Sequence, residues 1–276
     1  MTTNKTIIEL LVRLQGIDVS KYEVSFLNQS IQKRIKETYC SNAEAYCALL
    51  DKNENEGNQL IAKLNISYSE FFRNPLTFAV LERIILPSMV LKKGNTKRNE
   101  IRIWSAACAA GEEIYSLAVL LEEFKTGVNE KINFRIFATD QNDSLVNSAI
   151  KGQYAPDALN NLSLKRINQW FTHSGDTYTV KHELKKNIDF SVFDLFSAQY
   201  SCPPSSIYGD FDLVVCANLL FYYGPEYQKI ILKKAGNCLA KEGYLVTGET
   251  ERDIVIRHNY QEVYPHSAIF QSRVHR

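Results

Sequence analysis

The chain has 276 residues, 45% hydrophobic and 23% charged, the balance of an ordinary soluble globular protein long enough for one or two domains with a buried core. Thirty-two Lys and Arg stand against 31 Asp and Glu, a net charge of +1, so no whole-molecule field draws the chain to nucleic acid or to an anionic membrane. No run approaches the roughly 18 apolar residues of a transmembrane helix, and the opening MTTNKTIIEL does not read as a signal peptide.

Residues 1–91 carry helical patterns and few turn signals. Ile7, Ile8, Leu10, Leu11 and Leu14 share one face at helical spacing. Tyr22, Phe26, Ile31 and Ile35 predict a second helix whose exposed side carries Lys33, Arg34 and Lys36. Ser41 or Asn42 caps a third, holding Ala45, Tyr46, Leu49 and Leu50. A polar stretch at 51–58 follows, then a short helix. Pro75 suits the first turn of a further helix through Phe78, Leu81 and Ile85, with Pro87 near its end. The charged segment KKGNTKRNE, 92–100, reads as a linker.

From there strands and helices alternate. Strands are predicted at 101–106, 132–140, 187–195, 211–218 and 243–249, with helices at 112–124, 143–150 and 225–239. This alternation implies right-handed βαβ crossovers and a mostly parallel sheet. An antiparallel pair at 260–264 and 268–274, turning at 265–267, would complete it. The result is an α/β fold of the S-adenosylmethionine (SAM) methyltransferase, Rossmann-like arrangement. Residues 152–187 interrupt the alternation with a helix-like piece at 162–171 and a hairpin, HSGD at 173–176 as its turn and TYTV at 177–180 as a strand. They read as an inserted small β-subdomain. The chain is thus expected to hold a helical domain at 1–91, a linker at 92–100 and an α/β domain at 101–276.

Six cysteines, at 40, 47, 108, 202, 216 and 238, form no CxxC pair and no Cys/His cluster of zinc spacing. They are read as small buried residues of a reducing, cytoplasmic compartment, with neither disulfide nor structural metal.

In an open α/β sheet, ligands bind beyond the carboxyl ends of the strands. The turn after the first strand is SAACAAGEE, 105–113. Small residues at 106, 107, 109, 110 and 111 would let a cofactor approach the backbone. A dinucleotide site carries G-x-G-x-x-G so that a helix N-terminus can face a pyrophosphate, but only Gly111 is present here. Glu112 and Glu113 stand where a phosphate would sit, which favours a cationic ligand group such as the α-amino group of SAM. The same pair could equally complement the helix dipole. Asp140 closes the second strand, where a carboxylate can accept from ribose hydroxyls or cap the next helix. Asp194 follows the third strand, as an adenine acceptor or a turn residue. Asn218, at the end of the fourth, lies where the methionine part would meet a substrate.

The blocks SYSEFFRNPLTF, IRIWSAACAAGEEIYSLAVLLEE, FATDQNDSLVNSAIKGQY, FDLVVCANLLFYYGPEYQ and GYLVTGETE, in this order, resemble the motifs of the CheR family. These are SAM-dependent methyltransferases that esterify glutamates on chemotaxis receptors. The resemblance runs from about Tyr22 to the C-terminus. It implies cofactor contacts at Ser67, Ser69, Arg73, the Ala107 loop, Glu112 (amino group), Asp140 (ribose), Asp194 with Leu195 (adenine edge), and Ala217 with Asn218. It also implies that Arg73 and Tyr222 orient the reacting carboxylate, and that S-adenosylhomocysteine is the product. The implied partner is the helical cytoplasmic part of a chemoreceptor, with Lys33, Arg34 and Lys36 as a reduced version of the family's basic helix; a monomer is expected, since nothing in the sequence demands more.

Departures from the pattern matter. Ala217 replaces the Arg of the usual C-R-N, removing a cation near the site. Ala107 and Ala110 replace common Gly and Thr, and Ile114 replaces Pro. The final block reads GETE rather than G-H-S-E. The short turn at 173–176 argues against tethering to a receptor's C-terminal pentapeptide. The five histidines lie outside these blocks, as carboxylate methylation needs no strong base. Two other readings remain open: a SAM-binding regulatory or scaffold module, and a methyltransferase for another substrate.

Overall fold

The computed structural model describes residues 2–65, 68–94, 100–128, 133–206 and 208–273. It divides into two compact units, Met1–Ile66 with Phe221–Lys229, and Ser67–Leu220 with Ile230–Arg276. Residues 67–91, expected in the N-terminal helical part, lie in the second unit. Of the expected linker, 95–99 fall outside the described residues.

The first unit is helical: α1 (Thr2–Gln15), α2 (Val24–Glu37), α3 (Ala43–Lys52) and α4 (Glu54–Leu64). Helix α1 packs on α3, and α2 on α4. Ile7, Leu11, Ile31, Leu50 and Leu60, recurring at helical spacing, are almost wholly buried. Asn42 caps α3 by accepting from Ala45 N–H at 2.8 Å. The polar stretch at 51–58 is not a loop. Asn53 alone separates α3 from α4, extended at φ −132°, and its side chain accepts from Asn55 N–H. One residue that both ends and caps a helix lets a polar sequence stay helical. Helix α2 starts after Tyr22, which instead stacks on Tyr223 with ring centroids 5.2 Å apart.

The expected exposed basic face of α2 needs a correction. Lys33 and Lys36 are exposed, but the Arg34 side chain is only 12% exposed. Its guanidinium makes a two-pronged contact with the buried Glu56, Nε to Oε1 at 2.9 Å and Nη2 to Oε2 at 2.5 Å. Tyr46 Oη donates to the same carboxylate at 2.7 Å. A buried carboxylate needs such partners, so Arg34 is drawn inward.

The second unit opens with α5 (Pro75–Val80), a π-helical turn (Leu81–Ile85) and α6 (Leu86–Gly94), one continuous rod. Pro87 does not end it. The Leu86 N–H reaches back to Leu81 O, a five-residue spacing. That widening absorbs the bond which Pro87 cannot make and the clash of its ring. Then follow β1 (Glu100–Ser105), α7 (Glu112–Val128), β2 (Asn133–Asp140), α8 (Asp143–Lys151), β3 (Gln153–Tyr154), α9 (Leu164–Trp170), β4 (Phe171–Ser174), β5 (Thr177–Val180), α10 (His182–Lys185), β6 (Ile188–Val192), β7 (Phe211–Val215), α11 (Pro225–Cys238), β8 (Leu239–Val246), α12 (Arg252–Ile256), β9 (Tyr260–Glu262) and β10 (Ile269–Ser272).

Seven strands form one sheet in the order β6-β2-β1-β7-β8-β10-β9. The first five are parallel neighbours and the last two antiparallel. Register is set by apolar residues buried on both faces, with Ile103 opposite Ile136 on one side and Leu213 on the other. One face packs Ile101, Ile103, Ile136 and Leu213 on Ile114, Leu117 and Leu121 of α7, and on Leu86 and Met89 of α6. The fold class is thus the α/β arrangement expected. A separate three-stranded antiparallel sheet, β3-β5-β4, lies between α8 and β6 in sequence. Its hairpin turn is Gly175–Asp176 alone, since His173 and Ser174 are still paired in β4. Strand order reverses between β1 and β7, so a ligand crevice is expected at their carboxyl ends.

Candidate active site

The turn after β1 is held at three points. Ala106 N–H donates to Val215 O, Cys108 N–H to Thr139 O, and Gly111 N–H to Cys108 O, all at 2.8–2.9 Å. Gly111 sits at φ 99°, and a Cβ there would lie 3.0 Å from Ala149 Cβ and 3.1 Å from Tyr154 Oη. Glycine is therefore required by both conformation and space. Tyr154, from the small sheet, donates to Ala110 O at 2.7 Å and backs the loop.

Asp140 ends β2 and is 5% exposed. Its Oδ2 accepts from Ala109 N–H at 3.0 Å, and Oδ1 from Asn142 N–H at 2.9 Å. Asn142, not Asp140, caps α8. Burial raises the Asp140 pKa, opposed by these amide donors. Each oxygen keeps further accepting capacity for a hydroxyl. Phe193 N–H donates to Asp140 O at 2.9 Å, which brings the following Asp194 and Leu195 beside it in the chain. Asp194 is exposed and accepts from Phe196 N–H, while Leu195 is buried.

Glu112 is the first residue of α7 and is 9% exposed. Its Oε2 is buried without a hydrogen-bond partner. Burial raises its pKa, and hydrogen bonds from its own amide and from the Ser69 hydroxyl oppose this. Ser69 therefore meets Glu112; Ser67 lies outside the described residues. Glu113 accepts from Ser105 Oγ at 3.1 Å. Its pKa is pushed up to about 7, first by burial, while the nearby charge of Arg73 acts the other way. An unpartnered buried carboxylate oxygen is costly unless a donor arrives. The ammonium of a bound amino-acid moiety is such a donor.

Beyond β7, Ala217 packs against the core and Asn218 takes φ 58°. Glu251, wholly buried, accepts from Asn218 N–H at 2.9 Å, Gly248 N–H at 2.6 Å and Leu220 N–H at 2.6 Å. Its pKa is pushed up to about 7 by burial, against those donors. The sequence motifs alone assign Glu251 no role. Its signal was present, an acid shortly after a strand end in GETE.

Arg73 lies between Phe72 at φ 48° and Asn74 at φ 58°. Its guanidinium covers the Tyr68 ring at 5.0 Å, and Nη1 approaches Tyr68 O at 3.5 Å. Among the described residues no ion pair holds it. Tyr222 belongs to the first unit, where its ring meets Phe26 edge-on at 4.7 Å and its carbonyl accepts from Glu23 N–H at 2.8 Å. Thus Ser69, Arg73, the Ala107–Gly111 loop, Glu112, Asp140, Asp194, Leu195, Ala217 and Asn218 all belong to the second unit, and Tyr222 does not.

The residue set fits SAM: small loop residues for close approach, and carboxylates for a cationic amino acid and for ribose hydroxyls. Comparisons agree. Residues 67–267 match the model of the CheR methyltransferase SAM binding domain, and residues 5–64 that of the CheR methyltransferase all-alpha domain. A chemotaxis protein methyltransferase of Borreliella burgdorferi is 30% identical over 255 residues, spanning 89% of this chain and 86% of that one. One from Listeria innocua is 30% identical over 238 residues, spanning 86% and 85%. Chemotaxis protein methyltransferase 1 of Pseudomonas aeruginosa is 32% identical over 197 residues, spanning 70% and 69%. No helix among the described residues is long and apolar enough to cross a membrane. The chain belongs to the CheR methyltransferase family, and SAM is its cofactor.

Proposed function

We propose that this chain transfers the methyl group of SAM to a glutamate side-chain carboxylate on the helical cytoplasmic part of a chemoreceptor. The observation that carries this reading is Arg73, a guanidinium with no ion pair among the described residues, in a unit where the other charged groups of the candidate site, Glu112, Asp140 and Asp194, are carboxylates. A site for a cationic cofactor that keeps one cation without a carboxylate partner suits an anionic acceptor.

When bound, SAM supplies an electrophilic methyl group and leaves as S-adenosylhomocysteine. Glu112 Oε2 would take the cofactor's ammonium, Asp140 its ribose hydroxyls, the Asp194–Leu195 turn its adenine edge, and Ala217 with Asn218 its methionine part. Ser69 and the small residues Ala107 and Ala110 would line its path. Arg73 would hold the acceptor carboxylate through its planar fork. With the acceptor held by Arg73, the chemistry the cofactor would supply is a methyl group for one carboxylate oxygen, the electron pair of the broken carbon–sulfur bond staying on sulfur. The acceptor is already ionised near pH 7, since a free Glu has a pKa of about 4.3, so no residue must remove a proton. The exposed Lys33 and Lys36 would meet an acidic receptor helix. On this reading the protein works in the cytoplasm as a monomer and does not grip a C-terminal pentapeptide.

The test is transfer of label from radiolabelled SAM to a chemoreceptor cytoplasmic fragment, followed by alkali. Volatile base-released label is the result expected of a carboxyl methyl ester. Base-stable label would move the chemistry to nitrogen, sulfur or another oxygen. SAM binding without transfer would favour a regulatory module, with Ala217 in place of the family's Arg as its mark.

A further inference from the structure

Phe72 is a bulky residue in the left-handed region at φ 48°, followed two residues later by Asn74 at φ 58°. Such backbone is tolerated by an Asn but costly for a bulky residue such as Phe72, and it persists there only where the surroundings over-determine it. Here the surroundings are specific. Phe71 is wholly buried, its ring edge-on to Tyr154 at 4.9 Å and to Phe171 at 5.6 Å. Phe72 packs on Phe78 at 5.0 Å, beneath the Arg166 guanidinium at 4.5 Å. Both rings are thus pinned, and the backbone between them is clamped as well. Phe72 N–H donates to Ser116 Oγ at 2.9 Å, and Phe71 O accepts from Asn161 Nδ2 at 3.0 Å.

Ser116 is wholly buried on α7, one turn after Glu112. Its hydroxyl donates to Glu112 O at 2.7 Å while it accepts from Phe72 N–H. A helical serine commonly bonds back to the carbonyl four residues earlier. What is unusual is its second role. The same oxygen fixes the strained turn that presents Arg73, and ties that turn to the first turn of the helix that begins with Glu112.

We propose that Ser116 is a positioning residue for Arg73, with Asn161 as the second clamp on the same turn. The proposal rests on the reading of Arg73 as the group that orients the acceptor carboxylate. Without the Ser116 oxygen the Phe72 amide is orphaned in the interior and the left-handed turn loses its restraint. Arg73 then samples more directions, and the loss falls on orientation rather than on cofactor affinity.

The experiment uses the full chain with radiolabelled SAM and a chemoreceptor cytoplasmic fragment, comparing S116A, N161A, R73A and the double variant S116A/R73A. S116A is expected to lower kcat about tenfold with SAM affinity within about twofold of wild type by calorimetry. The double variant is expected to be no slower than R73A alone, because a residue that acts through Arg73 has nothing left to position. N161A, at an exposed position that does not threaten folding, is expected to lower kcat in the same direction. Hydrogen exchange supplies a readout independent of turnover: the Phe72 amide should lose protection at least about tenfold in S116A. Undiminished transfer by R73A would overturn the Arg73 reading and this proposal with it. A slow R73A with an unaffected S116A, the same factor lost again in the double variant, or unchanged Phe72 protection would overturn the proposal alone.

Discussion

Glu251 holds Asn218 in a left-handed conformation: Asn218 N–H donates to Glu251 Oε2 at 2.9 Å, and its φ is 58°. The same oxygen accepts from Gly248 N–H, and a Cβ at Gly248 would lie 2.5 Å from Asn218 Nδ2. One buried carboxylate therefore ties the loop after β7 to the loop after β8. Replacing it as E251Q puts an NH2 group where an acceptor is needed. At least one buried N–H loses its partner, which costs about 1–3 kcal/mol. Urea unfolding should show that loss. Calorimetry should show SAM affinity reduced by about tenfold as Asn218 relaxes. Unchanged affinity would remove the Asn218 loop from the cofactor site.

Asp140 joins the β1 turn to β2 through its bond from Ala109 N–H. In D140N one oxygen remains, so one of the two backbone donors or the proposed ribose contact must give way. SAM binding is expected to weaken by about tenfold, with stability reduced by about 1 kcal/mol. D140A should lose both more severely. A stable D140N with wild-type affinity would reassign Asp140 to loop structure alone.

Much of this was legible in the sequence. The β-branched, apolar runs that became β1, β2 and β7 are buried on both faces, and such runs read clearly as central parallel strands. The small residues after β1 and the acids at strand ends carried the cofactor reading. What was hidden depends on distant partners. Helix α4 begins in a run of Glu and Asn that propensity reads as loop, and only the Asn53 cap and the burial of Leu60 and Leu64 settle it as helix. Pro87 signals a stop locally, but the π turn ahead of it removes the conflict. Arg34 looks like surface charge until Glu56, 22 residues on, is folded beside it. Glu251 has meaning only once two loops converge on it.

Burial raises both Glu113 and Glu251 to about 7 from an ordinary 4.5. A carboxyl whose folded pKa lies above its unfolded value binds more protons when folded between those two pKa values. Stability should therefore fall as pH rises from about 4.5 to about 7, and the penalty is complete above that. The cofactor-free protein is expected to melt at a higher temperature at pH 5.5 than at 7.5, by thermal scan, with E113Q showing a smaller difference. A cation bound at Glu112, whose charge also raises the pKa of the neighbouring Glu113, reverses the preference by favouring ionisation. SAM affinity should rise between pH 5.5 and 7, below the range where a free α-amino group titrates (about 7.7–8.0), with proton release visible as a buffer-dependent binding heat. A binding heat independent of buffer would place the cofactor's charge away from these carboxyls.

The three basic residues of α2 should separate by role. Arg34 and Tyr46 both donate to Glu56, which is 5% exposed. R34A leaves a buried carboxylate short of its cation, a loss of about 3–5 kcal/mol. Urea unfolding followed by far-ultraviolet circular dichroism should show an early transition of the helical unit, and R34K should recover only part of it because a lysine lacks the two-pronged fork. Lys33 and Lys36 are exposed, so K33A and K36A should leave stability within about 0.5 kcal/mol. Their effect should appear instead as a raised KM for an acidic receptor fragment, larger at low than at high salt because exposed charges are screened. A wild-type unfolding curve for R34A would show that the Arg34–Glu56 pair does not support the unit. Unchanged KM in the lysine variants would free α2 from any part in receptor docking.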